Sequence, residues 1–385
     1  MAQHLFCPKT RRLLTALFAV AAIWPLPACA QTSQTVANPV PAANSHAFQL
    51  QGDTVTLQFD PKQYGLSDPR SVVVRGSFTS WSKGSIPLVR GADGRWSVTR
   101  SRNLVDIPGN SGQPEFKFVV NDSQWIGADQ EPVGYRFTGN FVLLFAGDSP
   151  ADIAGRDQKA SLVRDSYDSP QQLGNFRELQ GGRLAPQRLY RSYHPFIASR
   201  PQLSAEASRL LAVQALAQEH GIRAVLNMAD ALSDVQGNAV PSFYQDLVRN
   251  DQVLLDATSY EDSYFQPEGA AYAKTLQQAL GFIANHPGPY LIHCRLGTDR
   301  TGVMSAVIEA FMGVPWATIA ADFDRSNELG IREYRHPRLL AYAFQRMLGD
   351  APERIPDLAA AMRAFLVKQG VSAETLDQAS RQLSN

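Results

Sequence analysis

Residues 293–301 read His-Cys-Arg-Leu-Gly-Thr-Asp-Arg-Thr, between the apolar run Tyr290-Leu291-Ile292 and a second apolar run after Gly302. That order predicts a strand, a tight loop and a buried helix. Successive backbone N–H groups wrapped about one point make a nest for an anion, and the helix that follows adds its positive end. The Arg300 guanidinium can fork onto two oxygens of a tetrahedral oxyanion. The same field favours a thiolate on Cys294, which makes it a nucleophile. A phosphate held in such a cradle sits with a sulfur beneath it. The chemistry is covalent phosphoryl transfer that needs neither a metal nor any other cofactor. On this reading Arg295, Leu296, Gly297, Thr298 and Asp299 bind the phosphate.

A reaction of this kind needs a group to protonate the leaving oxygen and then to deprotonate water. The segment Leu254–Gly269, "LLDATSYEDSYFQPEG", offers Asp256, Glu261 and Asp262. Asp256 falls at a strand end, where a structural role is expected. The residues by themselves leave the three open.

The loop's context sharpens the reading. Residues 1–30 combine a basic start, an apolar stretch and "ACA" before Gln31, the pattern of a cleaved export signal. "LPAC" also fits a lipoprotein site, which would acylate Cys29 and tie the chain to a membrane. Residues 31–45 are expected to be a flexible leader. Of Cys7, Cys29 and Cys294, only Cys294 then survives as a free thiol. A lone cysteine in an exported chain points to reactivity. The location expected is periplasmic or secreted. With 36 basic and 36 acidic residues the chain is balanced, which argues against a nucleic-acid partner.

Positioning such a loop takes a fold of its own, and 385 residues allow two. Residues 46–146 alternate β-branched and aromatic runs with Gly- and Asn-rich turns, as in "DTVTLQFD", "SVVVRGSF" and "EFKFVV". They predict an immunoglobulin-like β-sandwich. Residues 147–172 show no sustained pattern and read as a linker. From 173 to 385 helices and strands alternate: a helix over "RLLAVQALAQEH", strands at "IRAVLNM", "QVLLDA" and "YLIH", and a helix from Pro267 in its first turn to Asn285. Three further helical patterns close the chain. This half is predicted to be α/β, with a central, mostly parallel sheet flanked by helices.

The loop resembles the His-Cys-x5-Arg-Ser/Thr signature of the cysteine-dependent tyrosine and dual-specificity phosphatases. "NFRELQGGRL", "RLYRSYHP" and "DFDRSNE" resemble further segments of bacterial members. The resemblance implies Cys294 as nucleophile, Arg300 as phosphate clamp, Thr301 as the group that helps the cysteine leave, and His293 as the residue that tunes the thiol. It implies an aspartate on a mobile loop as general acid. Asp262, thirty-two residues ahead of Cys294, has the spacing of the compact members. Arg177 and Arg191 either line the site or hold the fold, and "REYRHPR" at 332–338 reads as solvated helix surface.

The first half resembles glycogen-binding modules through "GSFTSW", "DGRW" and "EFKFVVNDSQW". That likeness implies a glucan surface made by Trp81, Lys117, Trp125 and Asn140. The alternative places Trp96, and Trp81 with it, in the sandwich core. Together the halves imply a phosphoprotein, a phosphorylated glycan or small molecule, or an inositol or lipid phosphate as substrate. The loop departs from the Cys-x-Ala-Gly-x-Gly-Arg form of the glucan phosphatases. Of the basic positions common in phosphoinositide-directed relatives it keeps only Arg295. The rival reading is a non-catalytic glycan- or phosphate-binding protein, against which the retained Cys294 and Arg300 argue.

Overall fold

The computed structural model describes residues 45–145 and 147–385. The export signal, nearly all of the leader, Cys7 and Cys29 lie outside the described residues.

Ten strands form the first half: β1 (Phe48–Gln51), β2 (Thr54–Phe59), β3 (Val72–Gly76), β4 (Ile86–Pro87), β5 (Val89–Arg90), β6 (Trp96–Ser101), β7 (Glu115–Val120), β8 (Gln124–Ile126), β9 (Arg136–Phe137) and β10 (Asn140–Val142). One antiparallel sheet runs β1-β2-β6-β5. The other runs β4-β3-β7-β10-β9, with β8 folded back on β7. Period-two alternation builds the core. In β2, Val55, Leu57 and Phe59 turn inward while the residues between them stay outside. They meet Phe116, Phe118 and Phe141 of the facing sheet, and Trp96 joins them.

The stretch read as a patternless linker is a helix, α1 (Pro150–Ser161). It buries only Ile153 and Ala160, too few positions to show a period. Its signal lies at its start, where Ser149 and Asp152 cap each other and Pro150 opens the first turn. A single-turn α2 (Pro170–Leu173) follows.

The second half has strands β11 (Arg177–Glu178), β12 (Leu189–Ser192), β13 (Ala224–Asn227), β14 (Val253–Leu255) and β15 (Tyr290–His293), ordered β11-β12-β15-β13-β14. Only β11 runs antiparallel. Around the sheet lie α3 (Glu206–Glu219), α4 (Leu232–Gln236), α5 (Ser242–Arg249), α6 (Tyr260–Tyr264), α7 (Ala270–Asn285) and α8 (Asp299–Phe311). Helix α7 starts at Ala270 behind Gly269, so Pro267 precedes it instead of opening its first turn. Four α-helices, not three, complete the chain: α9 (Trp316–Arg325), α10 (Pro337–Leu348), α11 (Leu358–Lys368) and α12 (Ala373–Ser384). Central β15 is buried along its length, and so is α8 from Thr301 to Phe311. In register, His293 lies between Ser192 and Asn227. The loop 294–298 therefore leaves the carboxyl end of the central strand, where open α/β sheets place their ligands.

Candidate active site

The loop is held from outside by its carbonyls. His194 N–H and Ser199 Oγ donate to the Arg295 carbonyl, each at 3.3 Å. Asn175 Nδ2 donates to the carbonyls of Leu296 and Gly297 at 3.2 and 3.3 Å, and Arg191 Nη2 to that of Gly297 at 2.8 Å. A planar peptide points its N–H opposite its C=O, so the N–H groups of Leu296, Gly297 and Thr298 face the other way. Gly297 is required here. Its φ is +69°, and a Cβ would stand 2.1 Å from the Ser192 carbonyl oxygen.

On the inner side Cys294 is 2 % exposed, at a cavity of about 610 Å³ lined also by Arg295, Asp299, Arg300, Arg200 and Thr258–Tyr260. It is the free cysteine among the described residues. Arg300 donates one hydrogen bond, from Nη1 to the Thr258 carbonyl at 3.2 Å. Among the described residues the rest of its fork has no hydrogen-bond partner. The hydroxyls of Thr298 and Thr301 are buried and, among the described residues, equally without partner. Cys294, Arg300 and Thr301 thus come together in one loop and the first turn of α8, whose N-terminal end adds positive potential.

His293 lies beneath the loop, fully buried. Tyr244 Oη accepts from Asn227 Nδ2 at 3.1 Å and gives its own proton to His293 Nε2 at 3.0 Å. Burial, then the neighbouring His194, holds the His293 imidazole well below its ordinary pKa, so it is neutral.

The three acidic candidates do not line the cavity. Glu261 accepts from Ser82 Oγ at 2.7 Å. Ser259 caps α6, its hydroxyl accepting from Asp262 N–H at 3.0 Å, while the Asp262 carboxylate accepts from Ser259 Oγ at 2.6 Å and pairs with Lys83 Nζ at 3.1 Å. Asp256 takes a backbone bond from its N–H to Asn227, and its Oδ2 is buried without partner. The carboxylate in the cavity wall is Asp299. Arg335 grips it with two bonds, Nε to Oδ1 at 2.6 Å and Nη2 to Oδ2 at 3.0 Å, and Tyr264 Oη donates to Oδ1 at 3.2 Å.

Arg335 is a residue that the sequence reading missed. It is not solvated surface but a side chain turned in from the segment before α10. Asp230 was missed as well. It is fully buried and pairs with Arg295 Nη2 at 2.6 Å. His194 Nδ1 accepts from Ile197 N–H, so Nε2 carries the proton and donates it to Asp230 at 2.7 Å. Burial works to raise the Asp230 pKa, but His194, Asn227 and Arg295 bring it down to about 2. Nothing in the spacing announces Arg335 or Asp230, because each meets the loop only through the tertiary fold. Arg177 and Arg191 hold the fold. Both are buried on Asp322, at 2.5 and 2.6 Å.

The four residues proposed for sugar contact are not gathered on one face. Lys117 and Trp125 share the outer face of β7 and β8 with Arg75, and Trp125 is 47 % exposed. Asn140 is buried and donates to Glu115. Trp81 packs against the core of the α/β half.

Residues 171–384 match a family model described as the tyrosine phosphatase family. No curated protein matches the chain. The match takes in more than half of the sequence and the whole cysteine loop. The chain belongs to the tyrosine phosphatase family, and its α/β half is a phosphatase domain.

Proposed function

We propose that the chain is an exported enzyme that hydrolyses phosphate monoesters through a phosphocysteine at Cys294. The observation that carries this reading is the meeting, at one cavity, of a buried thiol and a guanidinium whose fork is open. The Cys294 sulfur attacks phosphorus and the bond to the leaving oxygen breaks. Arg300 and the inward N–H groups hold the phosphoryl oxygens as charge spreads over them. Water then attacks phosphorus, the P–S bond breaks, and the Thr301 hydroxyl donates to the departing thiolate. His293, neutral and held by Tyr244, keeps the start of the loop in place.

Asp299 takes the proton-transfer role, since it is the carboxylate that reaches the cavity. It protonates the leaving oxygen as the P–O bond breaks, and its carboxylate then accepts a proton from the attacking water. The Asp262 carboxylate is taken up by the Ser259 hydroxyl and Lys83 instead. The cavity accommodates an aryl or peptidyl phosphate, and phosphoprotein is the substrate class proposed first. Export rests on the pattern of residues 1–30.

The test is chemical trapping. Asp299→Asn, mixed with p-nitrophenyl phosphate and quenched in acid, is expected to carry the mass of one phosphoryl group on the peptide containing Cys294. Phosphate found on another residue, or only on a Cys294→Ser chain, would refute the mechanism.

A further inference from the structure

Helix α6 touches both halves of the molecule. From the sandwich, Ser82 Oγ donates to Glu261 at 2.7 Å, Lys83 Nζ pairs with Asp262 at 3.1 Å, and Asn110 Oδ1 accepts from Tyr260 Oη at 2.8 Å. Toward the loop, the Thr258 carbonyl just ahead of α6 accepts from Arg300, and Tyr264 Oη donates to Asp299. The Tyr260 ring also lies 5.8 Å from the guanidinium carbon of Arg335, the residue that clamps Asp299. Three contacts enter this short helix from the sandwich; toward the loop, Tyr264 meets Asp299, Tyr260 meets Arg335, and the carbonyl just ahead of the helix meets Arg300.

The turn that makes two of the entering contacts is built for close approach. Ser80 and Trp81 both have positive φ, +52° and +50°, a conformation that non-glycine residues adopt at a cost. The turn places the Trp81 ring against the phosphatase core and Ser82 and Lys83 on α6. A module tethered only to carry a sugar site would have no need of such a turn at a catalytic wall.

We infer that the Trp81–Lys83 turn and Asn110 are positioning elements of the phosphatase site: through α6 they fix the Thr258 carbonyl and Tyr264 hydroxyl that aim Arg300 and Asp299. The sandwich is on this account part of the active site, acting through another element and touching no substrate. The inference rests on the proposed reaction at Cys294, because only that reading gives Arg300 and Asp299 something to do.

The experiment uses the chain from Gln31 to Asn385, with p-nitrophenyl phosphate for turnover and calorimetric titration with tungstate, a tetrahedral oxyanion, for the cradle. The variants are Lys83→Met, Ser82→Ala, Asn110→Ala and Lys83→Arg, with Arg90→Ala as a remote sandwich control. Lys83→Met is expected to lower kcat and weaken tungstate binding, each by about tenfold, as sub-ångström misplacement of catalytic groups does. Lys83→Arg restores both, and Arg90→Ala changes neither. If Lys83→Met melts too early to assay, Ser82→Ala and Asn110→Ala carry the same expectation at smaller size. Folded variants that bind tungstate and turn over as the wild type does would overturn the inference, and so would an equal loss in Arg90→Ala. A wild type that binds tungstate without turnover defeats the phosphatase reading, while the tungstate ratios still decide this one.

Discussion

Asp262 belongs to α6 and Asp299 opens α8, and the two have different duties. Asp299 reaches the cavity and is oriented by Arg335 and Tyr264, whereas the Asp262 carboxylate is held by the Ser259 hydroxyl and Lys83. Asp299→Asn is therefore expected to reduce kcat about a hundredfold, the usual scale for a lost proton-transfer group. Asp262→Asn is expected to reduce it far less. Steady-state assays of both decide it, and the reverse order would return the role to Asp262. Asp230 gives a pH signature. Its folded pKa, about 2, lies below its ordinary 3.8, so its ionised form adds stability that is complete above 3.8 and is lost as pH falls toward 2. The gap in unfolding free energy between wild type and Asp230→Asn should shrink over that window in urea titrations. A constant gap would contradict the assignment. Cys294, Arg300 and Gly297 were legible in the sequence because the loop is local, and nine consecutive residues carry its chemistry. Asp230 and Arg335 were not, since they reach Arg295 and Asp299 across sixty-five and thirty-six residues.

At the scale of elements, the loop is braced by β11, β12 and α9. Arg177 and Arg191 converge on Asp322, and Arg191 continues to the Gly297 carbonyl. Two buried guanidiniums around one carboxylate are tolerable only while it is charged. Burial raises the Asp322 pKa, and the two arginines more than reverse that, holding it below the ordinary carboxylate value. Asp322→Asn should cost about 3–5 kcal/mol, the usual penalty for breaking a buried pair, measured by urea unfolding at neutral pH. A loss under about 1 kcal/mol would mean that water or another group takes over. Periodicity revealed α3 and α7 because their apolar positions recur, and α8 showed as a run apolar nearly all round. It did not reveal α1, whose information sits in a cap, and it suggested for α7 a start at Pro267 that belongs to the preceding turn.

For the whole molecule, the border between the halves is a packed one. Phe137, Val142 and Leu144 of the sandwich bury themselves with Ile153 and Ala160 of α1 and with Tyr334. Asp148 adds a pair of bonds to Arg156 at 2.9 and 2.7 Å. A shared core couples two sheets more firmly than a linker could, so calorimetry should record one unfolding transition with equal calorimetric and van't Hoff enthalpies. Two resolved transitions would show that the halves fold apart. The change of grammar near residue 147 was plain in the sequence. The contact was not, because Phe137 and Tyr334 belong to different patterns and meet only after both halves have folded.

The most direct test of the central claim is turnover of p-nitrophenyl phosphate by residues 31–385, with reductant and EDTA present, beside Cys294→Ser. The account predicts steady turnover by the wild type and none above background in the serine variant. Turnover that persists in Cys294→Ser, or a reduced wild type that releases no p-nitrophenol, would contradict it.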